Sequence, residues 1–269
     1  LSGMQAAQTQ LGAAANNIAN ADTPGYRRQA VKQTPQTDGG VAANVVTAPQ
    51  PGGALEADVV ALQEIDERSR WAGNFDHLDY LRVHTRFPHS VFGINNRRTG
   101  LLNLSYGNAI LARHAIRASE TVVFGTRSVG EKGFLYVELD VGGRCVPLVN
   151  LHLHFSSRAQ RLRQLERLLA WLREKHRLHG KRWAVPPIIC GDFNNPGTRD
   201  DATASLLSHL ADYCDYVLHP LTGLTFPSPL PSRALDFIFL PAGCRNVRCE
   251  IVRSMLSDHR PVLVEFEVD

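Results

Sequence analysis

At 269 residues and 43% hydrophobic content the chain can fill one large domain or two small ones, and a formal net charge of +3 falls well short of the basic field of a dedicated nucleic-acid binder. No apolar run reaches the roughly 18 residues that a membrane span needs, and no charged stretch followed by an apolar core opens the chain, so neither a transmembrane helix nor a secretory leader is expected. Five cysteines, at 145, 190, 214, 244 and 249, are odd in number and lack CxxC spacing, which speaks against a disulfide framework and a zinc ribbon; reduced thiols in a cytoplasmic compartment are the expectation.

The apolar content is unevenly spread. From Leu1 to Asp58 the only aromatic residue is Tyr26, while every Trp, Phe and Cys lies later, so residues 1–56 are expected to be a helix-plus-loop segment and residues 57–269 the domain with the core. The chain opens on Leu1 rather than Met, which reads as a missing start. Met4, Ala7, Leu11, Ala14 and Ile18 recur at threes and fours and predict a helix over Leu1–Asn20, ended by the turn residues Asp22-Thr23-Pro24-Gly25. Val31 to Gly53 reads as loop or weak edge strand. Asp58 to Glu64 predicts a short buried strand with Glu64 at its end, and Leu78, Leu81 and Val83 predict a helix running into a strand, with Asn95 to Thr99 as a polar loop. Tyr106 to Arg113 reads as a strand whose Tyr106 and Asn108 face a site rim.

Phe134–Val141 and Arg144–Leu153 are expected to pair through the hairpin turn Gly142-Gly143. Ser157-Arg158-Ala159-Gln160 fits a helix-capping pattern, and Leu162, Leu165, Leu168, Leu169 and Leu172 form the apolar stripe of the helix that follows, its arginines on a solvated face. Val185 to Cys190 predicts a buried strand, Thr203 to Leu210 a helix, Leu224 to Ser228 an extended piece, and Leu235–Leu240 and Val262–Phe266 two further strands.

Chemistry gathers where strands end. After Cys190-Gly191, the carboxylate of Asp192 and the amide of Asn194 stand two residues apart, a spacing that lets both face one point beyond the strand; they can orient a water there, or they can cap the next helix. Asn150, His152 and His154 share a face by the same period. A His-x-His pair can ligate zinc, but the carboxylate and third His that zinc hydrolases add nearby are missing, so a phosphate-contacting or leaving-group role for Asn150 and His152 is more economical. Asp236 sits within an apolar strand and needs a partner, and Asp258-His259 opens the last strand, giving one imidazole with two carboxylates in prospect.

Taken together, Leu62-Gln63-Glu64, Tyr106-Gly107-Asn108-Ala109-Ile110-Leu111, Asn150-Leu151-His152-Leu153, Gly191-Asp192-Phe193-Asn194, Leu235-Asp236-Phe237-Ile238 and Ser257-Asp258-His259-Arg260-Pro261-Val262, in that order, resemble the endonuclease/exonuclease/phosphatase superfamily over residues 57–269. The resemblance implies a four-layer α/β/β/α sandwich and metal-dependent hydrolysis of a phosphate ester. It implies Glu64 and Asp258 as ligands of Mg²⁺ or Mn²⁺, Asp192 and Asn194 acting on the attacking water, His259 held by Asp236 against the phosphoryl oxygens, Asn150 and His152 on the phosphate or leaving oxygen, and Tyr106 and Asn108 at the rim. The substrate stays open among nucleic acid, a phospholipid headgroup and a small phosphoester. The text at Leu1–Thr9, Ala15–Asn20 and Thr23–Gln29 resembles the N-terminus of flagellar basal-body rod proteins and stands where the family has its first strand. That second resemblance implies a helical-bundle partner, and, as the alternative reading, a flagellar basal-body structural protein carrying an inert hydrolase-like body.

Overall fold

The structure, a computed structural model, describes residues 2–19, 29–36, 40–47, 57–85, 87–99, 103–125, 130–195, 202–212, 214–254 and 256–268. The N-terminal stripe forms helix α1 (Ser2–Ala19), followed by strands β1 (Gln29–Gln36) and β2 (Gly40–Thr47). Then come β3 (Val59–Asp66), α2 (His77–His84), β4 (His89–Arg98), β5 (Leu104–Ala112) and β6 (Ala115–Val123). The hairpin β7 (Gly133–Val141) and β8 (Arg144–His152) leads through α3 (Arg158–His179) to β9 (Ile188–Asp192), and α4 (Ala202–Leu210), β10 (Tyr216–His219), β11 (Asp236–Pro241), β12 (Cys244–Ile251) and β13 (Val262–Val268) complete the chain.

Two apolar faces on the central strands dictate the layering. One sheet runs in the order β10-β11-β9-β8-β7-β6, with β8 and β9 parallel because α3 carries the chain back across it. Its outer face buries Phe134, Leu151, Phe193 and Phe237 under Leu165, Leu168, Leu169 and Leu172 of α3 and Leu206 of α4. Its inner face packs Leu135, Val137, Ile188 and Cys190 against Ile110 of β5, Val59 and Ala61 of β3, and Val264 and Phe266 of β13. At about 1.5–3 kcal/mol for each large apolar side chain removed from water, this double-sided burial is the main stabilising term. On the far side of β3, β4 and β5, Leu11 and Ala15 of α1 and Leu81 of α2 cover Ile65, Ala109 and Leu111. The result is the expected four-layer α/β/β/α sandwich, with α1 contributing to one outer layer.

The second sheet comes in two pieces. Among the described residues β3 pairs with β5 alone, in the order β3-β5-β4, while β13 pairs with β12 alone. The text expected to stand in place of an opening strand folds elsewhere: β1 and β2 pair antiparallel from Gln29↔Thr47 to Gln36↔Gly40, and Asn17 staples α1 to this hairpin by donating from Nδ2 to Gln29 O and accepting from Gln29 N, both at 2.7 Å. Of the two readings for Val31–Gly53, loop or weak edge strand, the described part takes the strand form, as a two-stranded hairpin.

Other departures have similar causes. Asn95–Arg98 continue β4 rather than forming a loop, and Asn95 and Asn96 are buried at an irregularity in its pairing with β5. Arg161 of α3 is buried rather than solvated because its Nη1 donates to His154 O at 3.2 Å. Elsewhere the expectations hold: Gly142 and Gly143 take φ of 60° and 86° at the hairpin turn, and Ser157 Oγ accepts from Gln160 N–H at 3.3 Å at the start of α3. All five cysteines are free thiols, and no helix among the described residues is long and apolar enough to cross a membrane.

Candidate active site

Strands β9 and β11 place the two central carboxylates. Their antiparallel register sets Asp192 opposite Asp236, so two acids stand side by side at one end of the six-stranded sheet. Gly191 makes this possible: its φ is 142°, and a Cβ there would lie 1.9 Å from Leu151 O of the neighbouring strand, so only glycine lets β9 press that close to β8. His259, on the loop before β13, meets the pair, with Nδ1 2.8 Å from Asp236 Oδ2. Burial pulls this imidazole down, but the hydrogen bond and charge of Asp236, joined by Asp192 and Asp258, outweigh it and hold its pKa up at about 9. Asp192 moves the other way for a carboxylate: burial first, then the charge of Asp236, push it up to about 7, against the pull of His259. Asp236, half-buried within its apolar strand, thus has the partner it needed.

Asn194 sits just past β9 in the left-handed region, φ 49°, where its backbone N–H donates to Asp192 Oδ1 at 2.8 Å and its Nδ2 donates to Leu153 O at 3.0 Å. His152, at the end of β8, is buried and reaches Asp192 Oδ2 from Nε2 at 3.4 Å. Burial, then Lys132 and His259, drive its pKa well below the ordinary value, so it is neutral and carries one N–H. Lys132 Nζ lies 3.2 Å from Nδ1 and can only donate, so Nδ1 accepts and the proton is on Nε2, facing Asp192. With this tautomer Asn194 Nδ2, 3.0 Å from Nε2, makes no hydrogen bond to His152 and keeps the one it donates to Leu153 O.

Lys132 was not singled out in the sequence, where a lysine one residue before a strand carries no signal. Its ammonium, nearly shielded from solvent, also holds Glu64 Oε1 at 2.7 Å. Glu64 is inside β3 rather than at its end: the register with β5 shifts between Leu62 and Ile65, and Glu64 takes φ 55° at this bulge, which turns its carboxylate out into the site. Its Oε2 accepts no hydrogen bond among the described residues. Asp258 is exposed, with Oδ1 accepting from Ser257 Oγ at 3.3 Å. Carboxylate oxygens are the ligand type a hard divalent cation takes, and Glu64 has one oxygen uncommitted among the described residues. Ligand atoms of Asp192, Asp236 and His259 also lie within 4.8 Å of one another, but Nδ1 of His259 is already engaged by Asp236.

Three expected residues take other places. Asn150 is fully buried between the sheets: its Oδ1 accepts from Gln63 Nε2 at 2.6 Å, and its Nδ2 donates to Leu62 O and Ala109 O at 2.9 and 3.0 Å. No polar atom is left for a phosphate, and the residue bolts β8 to β3 and β5. Asn108 does the same from β5, donating to Gly133 O and Asn150 O, both at 3.1 Å. His154 lies beyond the end of β8, and its Nδ1 accepts from Ser156 N and Ser157 N at the entrance of α3. Tyr106 stays near the site, donating to Glu131 O at 3.1 Å beside a cavity that Glu64 and Lys132 also line.

Comparisons with known proteins bear on this arrangement. Among solved structures the chain is similar to sphingomyelinase C from Streptomyces griseocarneus, with 22% identity, a TM-score of 0.53, and 78% of this chain and 86% of that one covered. It is similar as well to a mannosyl-6-phosphatase of Bacteroides thetaiotaomicron, with 18% identity, a TM-score of 0.55 and coverage of 78% and 85%. A third is D. rerio TDP2 humanized by 14 mutations, with 18% identity, a TM-score of 0.51 and coverage of 78% and 86%. At these identities the likeness is one of fold. No curated protein matches the chain. Residues 1–27 match the family described as flagella basal body rod protein. Residues 32–259, most of the chain, match the Endonuclease/Exonuclease/phosphatase family, to which the chain therefore belongs.

Proposed function

We propose that the chain is a metal-dependent hydrolase of phosphate esters. The observation that carries this reading is the Asp192–Asp236–His259 cluster at one end of the continuous sheet, where a carboxylate of raised pKa stands beside an imidazole of raised pKa. At neutral pH Asp192 is a base strong enough to take a proton from water, while His259 is an imidazolium. Asp192 takes the proton of the attacking water, which is steadied by Asn194 Oδ1, the atom of that amide left over after Nδ2 is bound to Leu153 O. His259 donates from Nε2 to the phosphoryl oxygens as charge builds, its Nδ1–H anchored on Asp236. His152 touches Asp192 rather than substrate and acts by positioning it, with Lys132 fixing its tautomer. A bound Mg²⁺ or Mn²⁺, held by Glu64 with Asp258, would supply neutralisation of the phosphate charge. Phosphate-ester chemistry in the printed names of the similar structures, a sphingomyelinase and a mannosyl-6-phosphatase, supports the reaction class.

The competing reading, a flagellar structural segment on an inert body, is favoured by the match at residues 1–27. Against it, Ala6, Ala13 and Ala15 of α1 are buried within this chain, so part of the helix surface that a bundle would use is already covered. The test is hydrolysis of bis(p-nitrophenyl) phosphate with Mg²⁺ or Mn²⁺ and with chelator, alongside melting temperature. The hydrolase reading expects metal-dependent nitrophenolate release and a melting temperature raised by the metal; neither is expected of an inert body.

A further inference from the structure

Helix α1 does more than cover a sheet. One face of it, Met4, Ala7, Leu11 and Ala14, forms a wall of a cavity of about 740 Å³ whose floor carries Glu64 and Lys132. Phe75, Phe155 and Leu256 close other sides, and Phe155 is 71% exposed although its ring stacks on His154 at 5.1 Å. Met4 is seated against Gly73, whose added Cβ would come within 3.2 Å of its Sδ. Lys132, which lines the cavity with Glu64, also touches His152 of the candidate active site.

Resting on the hydrolase reading above, we infer that α1 is the specificity wall of the substrate cavity and selects small phosphate esters carrying a hydrocarbon group, alkyl or aryl. The division of the lining is the argument. A phosphate at the inner end meets the ammonium of Lys132, whereas most of the remaining side chains around the group attached to it are apolar, with Gln8, Gln10, Asp66, His77 and Tyr106 as the polar minority. A hydrocarbon placed against Met4, Leu11 and Phe75 would remove both surfaces from water. The volume suits one small molecule and not a polymer or a bilayer surface.

The test uses p-nitrophenyl phosphodiesters whose second ester group is methyl, butyl or octyl. The leaving group is the same throughout, so the dependence on chain length reports the wall alone. In the parent chain kcat/KM is expected to rise by up to about fourfold for each methylene that becomes buried, until the cavity is filled. Ala7→Glu places a charge on an exposed position of that wall and is expected to bring the octyl-to-methyl ratio to within about twofold. Gln5→Glu, the same charge on the same helix but off the cavity, is expected to keep the parent's ratio. A flat series in the parent, or a ratio that survives Ala7→Glu, overturns the inference. If none of the three esters is hydrolysed, the hydrolase reading fails, and binding of n-octylphosphonate against methylphosphonate by calorimetry decides the wall by itself. Tighter octyl binding that Ala7→Glu abolishes supports it, and equal binding overturns it.

Discussion

The two sheets of the sandwich are built to different tolerances. The six-stranded sheet is continuous, and register alone fixes Asp192 against Asp236 and His152 alongside Asp192. The facing sheet is divided between β3-β5-β4 and β12-β13, and the carboxylates proposed as cation ligands are more exposed: Glu64 on a bulge with one oxygen uncommitted, and Asp258 on a loop. On the proposed mechanism, proton transfer would be preorganised by backbone pairing, whereas cation binding would rely on exposed side chains. His259 joins the two, since it precedes β13 of the divided sheet yet is anchored on β11 of the continuous one.

The largest effect should come from breaking the rigid side. Gly191→Ala forces a Cβ into the Leu151 carbonyl at a positive φ and should cost about 3 kcal/mol or more of stability, measured by denaturant unfolding; a loss below about 1 kcal/mol would show that β9 has room to shift. Next, His259→Ala should lower kcat by about 100-fold with little change in KM, since its contact strengthens only as charge develops. It should also alter the pH profile. Asp192 must be deprotonated and His259 protonated, so the parent's rate rises as pH passes about 7 and falls past about 9; in the variant the alkaline fall disappears. A parent profile that is flat from pH 6 to 10 would contradict these assignments.

The smallest effect belongs to Lys132→Met. It removes the donor that keeps Nδ1 of His152 an acceptor, so ¹⁵N shifts should show the tautomer moving toward Nδ1–H while kcat falls by about tenfold. Lys132→Arg, which still donates, should restore most of both. An unchanged tautomer in the methionine variant would remove the positioning role from Lys132.

What the sequence could and could not reveal follows the same division. Asp192, Asp236 and His259 were legible because each interrupts or borders an apolar strand, and a carboxylate there is expensive unless it is partnered or used. Their mutual pairing was expected from the motif order rather than from geometry. Glu64 was legible as a residue, but its bulge was not, since a register shift is a property of two strands and β5 is 40 positions away. The faces of Asn150 and Asn108 followed from period 2, whereas their partners, Gln63 and backbone carbonyls of the opposing sheet, depend on how the sheets stack. Strand β6, Ala115–Val123, does alternate in exposure, yet its polar residues hid it. The hairpin β1-β2 was obscured by its Gln- and Ala-rich text, and α1 gave its stripe but not the surface it covers.

If the continuous sheet holds the base that starts the reaction, Asp192→Asn removes that base while changing little side-chain volume. Because the folded protein raises the pKa of Asp192, the ionised carboxylate opposes folding above the ordinary carboxylate range, so removing its charge should leave the melting temperature unchanged or higher at pH 7.5. Turnover of bis(p-nitrophenyl) phosphate with saturating Mg²⁺ should nevertheless fall by at least about 100-fold, on the order of 3 kcal/mol of transition-state stabilisation. A variant that folds as well as the parent and turns over at a comparable rate would contradict the account.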